Sequence, residues 1–346
     1  MKLFNKKVLL FLSPVILLFS AILVYNLVFD PFGVIQGDML NHYGEPNQRF
    51  LKAKHILSNP NKYNAYIFGS SRAGKIDPRN INTDDRWYNF SYAEGLPAEH
   101  LEDLRLLVDH DVAISKVVIG IGDISYLVDP FRHKTQSLRK PYKNWHTPYL
   151  EFLFLKPDME LRQTQKKIKA QKNQVFYDIY ESGMPDTYFR DKWVNQAKEK
   201  HCKKEKFNTP TWAFYYKPRI AGVIKEIRDI VALCQSENIE LIFYVNPMHA
   251  TTYLNQDMEQ FTTFLTELSE LSSFYDFSGI NDITTDNYYY YETSHFRPLI
   301  GDLMMESIFN NQLNEFGQFV NDENIQAVVA DKLKEAQAYK EARSTQ

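Results

Sequence analysis

With 346 residues the chain is long enough for one large domain or two small ones, with a sizeable core. Its 40 Lys and Arg against 43 Asp and Glu give a net charge of −3, which excludes a global positive field of the kind that attracts nucleic acid. Two cysteines, Cys202 and Cys234, exclude a disulfide framework or a cysteine metal site and are expected as free thiols.

Lys2, Lys6 and Lys7 precede an uncharged run from Val8 to Phe29 that ends at Asp30-Pro31. About 20 apolar residues cross a bilayer, so 8–29 is expected to be an uncleaved transmembrane anchor. It is too long for the apolar region of a cleaved signal peptide, and no clean small-x-small cleavage site follows it. Lysines on one side only place residues 1–7 in the cytoplasm and the rest of the chain outside it, periplasmic or extracellular. Pro14 is tolerable in a membrane helix. Residues 30–59 are expected as an irregular linker followed by an amphipathic helix over 48–57, and 60–316 as the main domain.

Within that domain Ala65–Phe68 is the first expected strand and Trp87–Phe90 a second. Pro97–His110 reads as a helix with proline in its first turn, and Lys116–Gly122 as an apolar strand buried on both faces. Residues 131–206 carry 18 Lys and Arg against 9 Asp and Glu, with no clean strand. They are expected as a basic helical insertion over the C-terminal edge of the sheet, either a solvated face or a binding surface for an acidic ligand. Lys166, Lys167 and Lys169 belong to it. Helices over 218–236, 257–271 and 298–309 alternate with strands over 240–247 and 273–277, and 317–346 reads as an exposed, charged C-terminal helix. The alternation predicts an α/β fold with a parallel sheet, whose site lies beyond the C-terminal strand ends.

Two motifs fall at those ends. Gly69-Ser-Ser-Arg72 follows the first strand, and Glu292-Thr-Ser-His295 precedes the helix at Pro298. A serine becomes nucleophilic when a histidine takes its proton and a carboxylate orients that histidine. Gly69 permits a sharp turn that aims a backbone N–H at a developing oxyanion. On this reasoning Ser70 and Ser71 are equivalent candidates. Arg72 is a candidate for binding an anionic group of the substrate, and His249 for substrate contact. Tyr291, in the run Tyr288–Tyr291, is a candidate for stacking on a sugar. The histidines and carboxylates lack metal-ligand spacing, and no cofactor is implied.

Gly69-Ser-Ser-Arg72, Asn89-Phe-Ser-Tyr-Ala-Glu-Gly95, Gly120-Ile-Gly-Asp123 and Glu292-Thr-Ser-His295 resemble, in order, the four sequence blocks of SGNH/GDSL-type hydrolases. The resemblance spans about residues 60–312 apart from the insertion. It is closer to a membrane-anchored subset akin to proteins of alginate O-acetylation and teichoic-acid D-alanylation. It implies a flavodoxin-like three-layer α/β/α domain, with Ser71 as nucleophile, His295 as base and Glu292 as orienting acid. It further implies oxyanion donors at Gly95 and the Ser71 amide. The chain departs from the usual blocks at Ser70 for Asp, Gly122 for Asn and Glu292 for Asp; Asn89 is the candidate replacement for the missing amide donor. The implied function is an extracytoplasmic serine esterase or O-acyltransferase acting on acyl groups, acetyl above all, of a cell-surface polysaccharide. A multi-spanning membrane acyltransferase is the implied partner. The competing reading is a weak or inactive scaffold that binds glycan or that partner.

Overall fold

The computed structural model describes residues 2–37, 39, 42, 44–143, 149–156, 175–210, 217–310 and 316–344. Lys166, Lys167 and Lys169 lie outside the described residues. The central sheet has six strands: β1 (Ala65–Phe68), β2 (Trp87–Asn89), β3 (Lys116–Ile121), β6 (Glu240–Val245), β7 (Phe274–Asp276) and β8 (Gln318–Val320). A separate two-stranded hairpin pairs β4 (Tyr177–Asp178) with β5 (Met184–Pro185). The sheet order is β2-β1-β3-β6-β7-β8. All neighbours run parallel except β8, which joins β7 antiparallel at the edge. The winding direction reverses between β1 and β3, and the crevice beyond their C-terminal ends is where such sheets carry ligands.

Strand residues alternate between two cores, as the two-residue period of a strand requires. Tyr66, Phe68, Val117, Ile119, Ile121, Phe243 and Val245 face one side, against Leu101, Leu104 and Leu107 of the Pro97–Val108 helix and the apolar face of Ile220–Ser236. Ala65, Ile67, Val118 and Tyr244 face the other, against Ile300, Met304 and Ile308 of the Pro298–Phe309 helix. Helices therefore cover both faces, and the central strands β1, β3 and β6 are apolar apart from Lys116 and Glu240 at their first positions, as a sheet covered on both sides requires.

Three expectations need correction. The segment after Asp30 is no loose linker: Phe32, Val34, Phe50 and Leu51 form a small core with Phe152 and Ile179. Residues 131–206 are not all helical. Besides short helices they contain the β4–β5 hairpin, which docks beside edge strand β2 where the Asn89 N–H donates to the Ser182 carbonyl at 3.0 Å. The C-terminal segment is neither purely helical nor fully exposed. β8 extends the sheet, and the Ile325–Ser344 helix packs on Met258–Ser269, with Ile325 and Ala336 buried. Lys332 reaches inward from it to Asp276 at 2.8 Å.

The N-terminal helix runs Lys2–Phe29, and its Leu10–Phe29 portion is long and apolar enough to cross a membrane. Its apolar side chains stand clear of the domain, with Leu10 and Phe11 more than three-quarters exposed.

Candidate active site

β1 ends at Phe68 and the chain turns at once on Gly69, whose φ of 145° lies in a region that side chains rarely adopt. A Cβ there would also lie 2.7 Å from the Ala73 Cβ. Ser70 and Ser71 follow on the turn; Ser70 is buried, and Ser71 is partly open. From the other end of the chain, Tyr290–Phe296 forms a tight loop in which the Tyr291 N–H donates to the His295 carbonyl at 2.8 Å. Glu292 Oε1 accepts from the His295 backbone N–H at 2.9 Å, so the acid folds back over its own loop.

This brings three expected residues together. Ser71 Oγ lies 2.7 Å from His295 Nε2, and His295 Nδ1 lies 2.5 Å from Glu292 Oε1. The carboxylate assigns the proton to Nδ1, which leaves the Nε2 lone pair facing the serine hydroxyl. Burial pushes the Glu292 carboxyl up. The His295 hydrogen bond and charge, with Arg190 and Lys206, more than reverse this and hold it at about 2. Burial pushes His295 below its ordinary value, Lys75 and Arg72 push the same way, and Glu292 only partly opposes them. A neutral imidazole beside a serine is the state a general base needs.

Arg72 underpins the turn and does not face a ligand. It is buried; its guanidinium pairs with both oxygens of Asp123 and donates from Nε to the Ser294 carbonyl at 2.8 Å. One side chain thereby ties the Gly69–Arg72 turn, the end of β3 and the histidine loop together. The expectation of a substrate anion at Arg72 is thus corrected: Asp123 already neutralises it.

Other expected roles change for similar reasons. Asn89 is buried, and its amide donates to the Ala73 and Ile76 carbonyls at 2.8 and 2.9 Å while its oxygen accepts from Ser91. It braces the helical turn after Ser71 and has no N–H left for an oxyanion. The Gly95 N–H donates to the Tyr92 carbonyl at 3.1 Å. The glycine serves close packing, since a Cβ there would lie 2.5 Å from the Gly69 carbonyl oxygen. The Ser71 N–H, by contrast, has no acceptor among the described residues and remains the candidate oxyanion donor. His249 caps the Ala250–Asn255 helix by accepting from the Thr251 N–H and meets the Asn287 amide oxygen at 2.8 Å. Tyr291 is fully buried beneath Arg190, whose Cζ lies 4.1 Å from the ring centroid, so it offers no face to a sugar.

Sequence reasoning missed Lys75, Arg190 and Lys206. Lys75 lies four residues after Ser71; burial lowers its ammonium to about 8, and its Nζ lies 5.6 Å from the Tyr291 ring centroid. Arg190 Nη2 reaches Glu292 Oε2 at 3.3 Å, and Lys206 donates to the Tyr291 carbonyl. The position of Lys75, one turn beyond a candidate nucleophile, was the one available signal. Arg190 and Lys206 come from the basic segment, whose docking on the histidine loop the sequence does not encode locally. Among the described residues no cluster of His, Cys, Asp or Glu could hold a metal ion. No protein-family model matches the chain, and no curated protein matches it in sequence.

Proposed function

We propose that this chain is a membrane-anchored, extracytoplasmic serine esterase or O-acyltransferase that works through an acyl-enzyme. The observation that carries the reading is the unbroken relay from Ser71 through His295 to Glu292, at 2.7 and 2.5 Å. Ser71 Oγ attacks the acyl carbonyl as its proton passes to His295 Nε2, and Glu292 stabilises the resulting imidazolium. The Ser71 N–H donates to the oxyanion. Collapse of the tetrahedral intermediate breaks the ester bond, and the proton on Nε2 leaves with the departing alcohol. In the second half His295 takes a proton from the incoming hydroxyl, and Ser71 is regenerated. Water as that hydroxyl gives hydrolysis, and a sugar gives transfer.

The apolar helix and the lysines before it support a domain outside the cytoplasmic membrane. The acyl group is of acetyl size, and its carrier or acceptor is a cell-surface polysaccharide. Acyl-CoA is cytoplasmic, so a transferase on the outer side receives its acyl group from a separate membrane protein. One observation favours the scaffold reading: neither Gly95 nor Asn89 has an N–H left for the oxyanion. A missing donor lowers the rate by about 10²–10³.

The test is acyl release from p-nitrophenyl acetate by the full chain in detergent, beside Ser71→Ala and His295→Ala, with intact mass to detect an acetyl adduct. Turnover or an adduct in the wild type that both variants lose supports the enzyme. Neither in the wild type overturns autonomous esterase activity and favours the scaffold.

A further inference from the structure

The helix Lys2–Phe29 does not leave the domain through a free stalk. Asn26 is fully buried, and its amide nitrogen lies within hydrogen-bond distance of the carbonyls of Phe152, Leu153 and Leu155 at 3.0, 2.9 and 2.9 Å. Gln36 folds back to cap the helix end, donating to the Leu27 and Val28 carbonyls at 3.1 and 3.3 Å. Asp30 Oδ2 accepts from the Ile35 and Gln36 N–H groups and fixes the turn between them. The exit is therefore clamped on both sides.

That clamp sets a depth. The 20 residues Leu10–Phe29 span about 30 Å at 1.5 Å per residue, the thickness of a bilayer's hydrocarbon core. The core boundary then falls near Phe29. Asn26 lies three residues, about 4.5 Å, to the membrane side of it. Whatever Asn26 bonds must lie at the membrane interface, and it bonds the Leu150–Leu153 turn and the residues just after it.

The exposed side chains of that turn suit such a depth. Leu150 and Phe154, four residues apart on one face, are 52% and 49% exposed, while Phe152 between them points into the small core. Beside them lies a cavity of about 340 Å³ whose charged lining is mixed: Lys134, Arg139, Lys140 and Lys143 with Glu99, Glu102 and Glu151, Lys140 being paired with Glu151 and Arg139 with Glu45. Phe131, at the start of the same stretch, is 68% exposed under the Lys134 ammonium. Large apolar side chains next to lysines form the pattern of a surface that lies in the headgroup region.

We propose that the Leu150–Phe154 turn is a membrane foot: its apolar side chains enter the bilayer interface beside the anchor, and the flanking lysines meet anionic headgroups. The inference rests on the membrane-spanning reading of Leu10–Phe29. A second point of contact fixes how the domain is turned towards the membrane, which a single helix with a flexible stalk would leave free.

The experiment places one nitroxide at a time on the full chain, reconstituted in phosphatidylcholine–phosphatidylglycerol liposomes. A Cys202→Ala background is used, in which buried Cys234 does not react. Labels go on Leu150→Cys, Phe154→Cys, Leu17→Cys within the span and Glu237→Cys on an exposed helix end. Collision with oxygen is compared with collision with a water-soluble nickel chelate. The expected result is a several-fold higher oxygen-to-chelate ratio at Leu150 and Phe154 than at Glu237, with Leu17 higher still. A deep Leu17 with Leu150 and Phe154 equal to Glu237 overturns the foot and leaves the anchor standing. A Leu17 label as wet as Glu237 overturns the anchor and the foot together.

Discussion

Glu292→Gln separates a working relay from a mere cluster of polar side chains. In the protein the Glu292 carboxyl is held at about 2 against an ordinary 4.5. That drop corresponds to ~3 kcal/mol of preference for the carboxylate beside its partners. Burial opposes it, the His295 ring is the leading cause of the drop, and the same attraction would hold the imidazolium formed when Ser71 loses its proton. Gln has the same shape and no charge. Losing ~3 kcal/mol from that charged state slows the reaction by about 10²-fold, and losing the fixed tautomer brings the total to about 10²–10⁴-fold. The assay is kcat/KM for p-nitrophenyl acetate, with Ser71→Ala as the floor. The acid limb of the pH profile should also move. Burial already holds His295 below its ordinary value, and Glu292 is what pulls it back up. Without the carboxylate the limb shifts to lower pH. Stability responds in a different window: the depressed carboxyl contributes fully above pH 4.5 and its contribution is lost as pH falls towards 2, so Glu292→Gln flattens that part of the curve. A variant within tenfold of wild type, with an unmoved acid limb, would refute the assigned role of Glu292.

Lys75→Met removes a cation that disfavours protonated His295, so the acid limb should move to higher pH, opposite to Glu292→Gln. The same variant should be more stable by about 2–3 kcal/mol at pH 7 in urea unfolding, because the native ammonium is lowered from 10.5 to about 8 and the fold carries the full cost of its charge below pH 8. As pH rises from 8 to 10.5 the wild type sheds its proton in the folded state first, and the stability difference should close. Gly95→Ala should lower Tm by several degrees through the 2.5 Å approach of its Cβ to the Gly69 carbonyl oxygen, a cost of about 1–3 kcal/mol. Lys332→Met should cost about 3–5 kcal/mol in urea unfolding, since it leaves the buried Asp276 carboxylate without its cation. Unchanged stability there would mean that the C-terminal helix does not dock as described.

The Ser71–His295–Glu292 pairing was legible because both halves are local. A glycine turn after an apolar strand presents a serine, and an acid three residues before a histidine folds back onto it within one loop. The strand–helix alternation was legible for a similar reason: apolar runs and prolines mark their own boundaries, and the Pro298–Phe309 helix runs from the first named residue to the last. What failed was the assignment of polar residues at strand ends. Asn89, His249 and Arg72 all stand near the site in sequence terms, yet each satisfies backbone or a buried charge. A sequence names the donor and leaves its acceptor unnamed. The same limit hid Arg190, which meets Glu292 across 102 residues. It also hid the packing of Phe32 against Phe152, whose ring centroids lie 5.6 Å apart. β8 has only three residues, too few for a strand period to show.

Gly122 bears on whether a stronger oxyanion hole can be built into this fold. Its φ of −176° suits any residue, so backbone strain is no obstacle to substitution. Space is the obstacle. A Cβ at Gly122 would lie 3.2 Å from Arg72 Nη1 and 3.4 Å from Asn246 Nδ2. Those two groups already occupy the volume an asparagine side chain would need. Arg72 holds it as part of the buried pair with Asp123, and Asn246 as donor to the Ile121 carbonyl at 2.7 Å. Installing Gly122→Asn must displace one of them. Displacing Arg72 leaves the buried Asp123 carboxylate without its arginine, at a cost of about 3–5 kcal/mol, and frees the turn that carries Ser71. The expected result is a markedly lower Tm with no gain in p-nitrophenyl acetate turnover. A tenfold faster variant of undiminished Tm would show that the missing donor alone limits the rate and that Arg72 is dispensable to the turn. In the structure as it stands, Arg72 and Asn246 occupy the volume beside Gly122, which leaves the proposed mechanism the Ser71 N–H as its oxyanion donor.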